Sequence, residues 1–153
     1  MNGEKRIEEI RMIIVDTNVI LSALLTEGIT KVVLTAHKDV YMTPQSCFDE
    51  LWKHKDVWNE NNQPEEEQKY ILSRMKRFIM TVYEKTYKNK LEAAKKLIID
   101  IDDAPLIALA LSIDNEGIWT YNTKHFRKDN LKGKVKILNI KDVIKMYPFE
   151  LEE

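Results

Sequence analysis

The sequence predicts an α/β domain built on a parallel sheet of about five short strands, with helices on both faces in three layers. Three observations carry that expectation. "MIIV" at 12–15 is an unbroken apolar run of strand length, the pattern of a strand buried on both sides. Strand-like and helix-like stretches alternate along the chain, which implies crossover units rather than hairpins. The 153 residues are 44% hydrophobic and 32% charged, which suits a single soluble domain with a sizeable core rather than a disordered chain.

Each element has its own signal. After the first strand, "NVILSALLTEG" (18–28) has Val19, Ile20, Ala23 and Leu24 at helical spacing and Gly28 as a stop. "TKVVLTAHK" (30–38) predicts a second short helix, and "VYMT" (40–43) a second strand. "TPQSCFDELWKH" (43–54) predicts a helix with Thr43 as N-cap and Pro44 in its first position. The polar stretch 57–68, punctuated by Pro64, predicts a loop, and a helix carrying Tyr70, Ile71, Met75 and Phe78 follows it. "FIMTVY" (78–83) has strand propensity, and "NKLEAAKKLIID" (89–100) is amphipathic and helical. "DDAPLIALALSID" (102–114) predicts a strongly apolar helix, in which Pro105 is tolerated because it lies in the first turn. "IWTY" (118–121) and "VKIL" (135–138) predict strands, and "IKDVIKMY" (140–147) a closing helix. Residues 1–11 read as a polar leader ahead of a single domain expected over 12–153.

Composition excludes several classes. The formal net charge of −1 gives no global basic field of the kind that marks an obligate nucleic-acid binder, so such contacts would rest on local patches. Cys47 is the only cysteine, which rules out an internal disulfide and a cysteine-based zinc cluster and fits a reducing cytoplasm. No stretch approaches the roughly 20 apolar residues of a membrane span, and the start lacks the apolar run of a signal peptide.

In a parallel sheet, ligands bind beyond the carboxyl ends of the strands, where strand order reverses. Asp16 stands at that end of the first strand, where a carboxylate either caps the next helix or holds a metal. Glu50 borders the apolar face of the helix after the second strand. Asp103 shares a face with Leu106, Ile107 and Ala110, at spacings of three, four and seven, and so points inward. Asp102 is the better helix cap, and Asp100 and Asp102 complement the positive end of that helix. Thr120 and Asn122 follow the fourth strand as Asp16 follows the first. Gathered carboxylates repel unless a cation neutralises them, and oxygen ligands without cysteine point to Mg2+ or Mn2+.

"IIVDTNVILSALL" (13–25), "TPQSCFDEL" (43–51), "DIDDAPLIALAL" (100–111) and "IWTYNTKHF" (118–126) occur in an order and spacing that resemble the PIN domain nucleases, which include the VapC-type toxins of toxin–antitoxin pairs. The resemblance implies a PIN-like fold, a Mg2+- or Mn2+-dependent acidic site, cleavage of single-stranded RNA, and a homodimer. It assigns the metal-binding acids to Asp16, Glu50 and Asp103 and a catalytic role beside them to Asn122. Thr17, Asn18, Asp102 and Thr120 support the site. The fourth family position is often Asp; Asn122 removes one negative charge there. "DIDDAP" and "WTYNTKHF" are most similar to stand-alone PIN proteins, so an antitoxin partner follows less directly than the fold. The alternative is a PIN fold with weak or no catalysis that binds RNA or protein.

Other residues have plainer readings. The basic stretches 85–96 and 124–136 could contact phosphates, with Lys124, His125 and Arg127 best placed because they follow Asn122. A solvated surface is the simpler reading of both, and His125 has no partner visible in the sequence. Trp119 belongs in the core, and Cys47 reads as a small buried hydrophobe. Aspartyl-phosphate chemistry needs D-x-D after the first strand, and the second position here is Asn18. The "DID" at 100–102 is unlike a topoisomerase-primase site because it precedes a helix.

Overall fold

The computed structural model describes residues 10–59, 62–126, 131 and 133–149. Five strands form an all-parallel sheet: β1 (Ile13–Val15), β2 (Tyr41–Pro44), β3 (Ile79–Val82), β4 (Ile118–Trp119) and β5 (Ile137–Leu138), in the order β3-β2-β1-β4-β5. β1 is central, pairing Ile14 with Met42 on one side and with Ile118 on the other. Its three residues are completely buried, which is why the sequence there is continuously apolar rather than alternating.

Strand alternation divides the core in two. Ile13, Val15, Tyr41, Ile79, Trp119 and Leu138 face one side. They pack against α1 (Thr17–Leu25), α2 (Ile29–Ala36), α3 (Gln45–Lys53), α5 (Glu65–Met75) and α9 (Ile140–Met146), with Trp58 of the short α4 (Lys55–Trp58) among them. Ile14, Met42, Val82 and Ile118 face the other side, under α6 (Glu84–Tyr87), α7 (Leu91–Lys95) and α8 (Ala104–Ser112). The result is the expected three-layer α/β architecture. Gly117 makes the entry to β4 possible. Its φ is +137°, and a Cβ there would lie 2.7 Å from the Lys136 carbonyl, the group that accepts from Ile118 N–H.

Several boundaries differ from expectation. Thr43 does not cap α3; it lies in β2, and its hydroxyl donates to the Val15 carbonyl at 2.7 Å, tying the ends of two strands together. Pro44 takes the cap position, and the helix starts at Gln45. The expected loop over 57–68 contains the end of α4, anchored by a hydrogen bond from the buried Trp58 indole to the Leu51 carbonyl. It also contains the start of α5, where Glu65, Glu66 and Glu67 complement the positive helix end. The expected helix over 89–100 is reduced to a 3-10 turn (Lys88–Lys90) and α7; beyond it Leu97 is buried and Ile98 packs on the second core, while Ile99 is exposed. Asp102 does not supply the cap before α8: the Asp100 side chain accepts from Asp102 N–H at 3.0 Å. Among the described residues no single helix is long and apolar enough to cross a membrane.

The chain runs β1, β2, β3 outward in one direction, then crosses back to place β4 on the far side of β1. The reversal therefore falls between β1 and β4, and a crevice opens beyond their carboxyl ends.

Candidate active site

Asp16 follows β1 at this reversal and caps α1, its Oδ1 accepting from Thr17 N–H at 2.6 Å. Capping accounts for one oxygen. The other accepts from the Thr120 hydroxyl at 2.7 Å and lies 3.4 Å from the Asn18 amide nitrogen. Thr120 follows β4, so this bond closes the two strands that border the crevice. The same hydroxyl oxygen accepts from Asn18 Nδ2 at 3.3 Å and from Asn122 N–H at 3.0 Å. Asn18 Oδ1 in turn accepts from Tyr121 N–H at 3.1 Å. Thr17, Asn18 and Thr120 thus brace Asp16, which caps α1 as one of its two readings expects and also lines the cleft. Only 6% of Asp16 is exposed, and burial pushes its carboxyl above the usual range against the pull of the Thr120 and Thr17 hydrogen bonds and the nearby His125.

Asp103 arrives by a different route. A 3-10 turn (Ile101–Asp103) leads into α8, and Pro105 sits in the helix's first turn. Asp100 caps the 3-10 turn, so the Asp103 carboxylate, which makes no capping bond of its own, is left to face the crevice. There its Oδ2 lies 3.1 Å from His125 Nδ1, and 15% of the side chain is exposed. Burial, and then the charge of Asp16, push the Asp103 carboxyl up to about 6, with His125 pulling the other way.

Asp16, Glu50, Asp103 and Asn122 all line one open cleft of about 590 Å³, together with Thr17, Asn18 and Asp102. Glu50 projects from α3 as an exposed side chain, beside Asp49, Lys53 and His54, which also line the cleft. Lys124 is exposed on the 3-10 turn Thr123–Phe126. Arg127 lies outside the described residues.

His125 is the residue that sequence reasoning placed least well. It lines the cleft, paired with Asp103, and its ring nitrogens lie 3.1 and 3.0 Å from the Asn122 amide nitrogen. Nothing local signals this, because the partner is 22 residues away. Asp100 also gains weight: it, Asp103 and His125 each offer one ligand atom within 4.8 Å of the others. Asp49 was missed; its place on the α3 face that carries Ser46 and Lys53 is the signal that could have found it.

The donor set fits a divalent cation. It is rich in carboxylate oxygens, and carboxylates gathered in one cleft repel unless a cation neutralises them. Cys47 lines the same cleft, but burial pushes its thiol up to about 12, so it is not a ready nucleophile.

No curated protein gives a significant match to the chain. A family model described as PIN domain matches residues 14–134, from the central strand past the cleft-forming turn. A match of that extent, over an all-parallel sheet with its acids gathered at the strand reversal, places the chain in the PIN domain family, whose fold is of the nuclease type.

Proposed function

We propose that the chain is an endoribonuclease that hydrolyses phosphodiester bonds of single-stranded RNA with the help of Mg2+ or Mn2+. The observation that carries this reading is the pairing of two acids in one open cleft, Asp16 buried and Asp103 partly so, each harder to ionise than usual. Asp16, Glu50 and Asp103 would hold the cation, with Asp100 at its side. When bound, a divalent ion polarises a phosphoryl oxygen and lowers the pKa of a water. The chain's own residues do the rest. Thr17, Asn18 and Thr120 fix the direction of the Asp16 carboxylate. Asn122 orients water or a ligand through its amide. Lys53, which lines the cleft, and Lys124, exposed on the turn that carries His125, offer positive charge to the phosphates.

A second reading, a PIN fold that binds RNA or protein without cutting, is favoured by Asn122 where a fourth acid would stand. A labelled single-stranded RNA incubated with the full chain separates the two. The first reading expects Mn2+- or Mg2+-dependent cleavage that a chelator abolishes and Asp16→Asn removes. Retained RNA with no cleavage in either metal would favour the second. A toxin role, with an antitoxin partner and a homodimer, extends the first reading; a complex formed with the product of a neighbouring gene would support it.

A further inference from the structure

The cleft holds one kind of donor that a purely carboxylate centre lacks. His125 stands on the 3-10 turn Thr123–Phe126, and the next residue, Phe126, is buried in the second core, which fixes the turn against the sheet. The imidazole is 37% exposed on its side chain and projects to the acids rather than into solvent alone. Its Nδ1 lies 3.1 Å from Asp103 Oδ2. Two neighbouring ligands of an octahedral ion, each about 2.1 Å from the centre, stand about 3 Å apart. The nitrogen and oxygen thus already have the span of one edge of such a shell, and Asp100 supplies a further oxygen within 4.8 Å.

We propose that His125 is a direct nitrogen ligand of the cation in this cleft, and that it makes the centre favour Mn2+ over Mg2+. The inference rests on the metal-dependent reading above. Both ions favour oxygen ligands, but Mg2+ gives up water the more reluctantly, and Mn2+, a first-row transition ion though the weakest binder of that row, takes an imidazole nitrogen more readily. A ligating histidine also gives its other ring N–H to an acceptor, which holds the ring in place. Asn122 is the neighbour available for this: its amide lies 3.0 Å from Nε2 and 3.1 Å from Nδ1, in line with neither N–H, so a half-turn of the amide and a tilt of the ring bring its oxygen to Nε2–H. Asn122 then orients a ligand, a role that an uncharged amide fills.

Mn2+ added to the full-length chain and observed by pulsed EPR tests this, since directly bound imidazole nitrogen modulates the Mn2+ signal. The wild type should show nitrogen coupling. His125→Asn, at a part-exposed position that should tolerate it, should lose that coupling, while His54→Asn, the other cleft histidine, should keep it. Competition titrations of Mn2+ against Mg2+ should show the Mn2+ preference of the wild type falling by at least about tenfold in His125→Asn. Bound Mn2+ without nitrogen coupling, coupling that survives His125→Asn, or an unchanged preference would each overturn the His125 assignment and leave the metal centre standing. A wild-type chain that binds neither ion would overturn the metal-dependent reading as well.

Discussion

Asp16 is locked by donors on three sides: the Thr17 N–H, the Asn18 amide and the Thr120 hydroxyl. Asp103, in the same cleft, meets a half-exposed histidine on a short turn. The first acid is part of the sheet's own framework, since its brace joins the ends of β1 and β4. The second is an adjustable corner, joined to its partner across a chain crossing. The contrast teaches how a cleft of repelling acids is made tolerable: one carboxylate is held by fixed donors, and the other is left for a proton or a cation to neutralise.

Removing the locked charge should have the largest effect. Asp16→Asn is expected to lower RNA cleavage by roughly 10²-fold or more, as loss of a group stabilising developing charge does elsewhere. The same variant should keep its fold without metal, because burial disfavours the charge it removes, which offsets the donor that its amide nitrogen leaves without an acceptor. A variant that cuts at the wild-type rate would break the assignment.

The brace can be attacked without touching an acid. Thr120→Val keeps the shape of a side chain only 1% exposed, but removes the donor to Asp16 and the acceptor for Asn18 and Asn122. Urea denaturation should report a loss of about 1–3 kcal/mol, the cost of leaving buried polar groups unpaired. An unchanged midpoint would mean that the lock is not a lock.

The adjustable corner should reveal itself through pH. Asp103 ionises near 6 in the folded chain against a reference of 3.8. Between those values the folded state keeps a proton that the unfolded state has released, so stability falls as pH rises through the window. The full difference is on the order of 1–3 kcal/mol in the metal-free chain. Melts at several pH values, with wild type set against Asp103→Asn, should show this slope in the wild type and a flatter one in the variant. Equal slopes would remove Asp103 as its source.

How much of this the sequence discloses follows the same division. Asp16, Thr17 and Asn18 are contiguous, and a polar triplet closing an apolar run marks a strand end, so the lock was readable at its first three residues. Thr120 was readable because β4 ends as β1 does. The inward turn of Asp103 followed from helical spacing. His125 was not readable as a partner: its pairing depends on the crossover that brings the turn after β4 against the start of α8, and no local pattern encodes that distance. The role of Asp100 was hidden for a related reason, since three acids in four residues offer the same signal and backbone geometry alone divides capping from inward-facing. Thr43 and Pro44 were misplaced because a proline suits both the first turn of a helix and the end of a strand near the sheet margin.

Equilibrium binding of Mn2+ to the metal-free chain, compared between Asp103→Asn and Asp102→Asn by calorimetry, tests the metal centre most directly. Both substitutions remove one negative charge from the same turn, so a general electrostatic effect is common to the two. Asp103 turns its carboxylate to the cleft beside His125, whereas Asp102, which also lines the cleft, is an exposed residue. The predicted result is a drop in affinity of roughly 10- to 100-fold or more for Asp103→Asn and a much smaller change for Asp102→Asn. Equal losses, or a larger loss for Asp102→Asn, would contradict it.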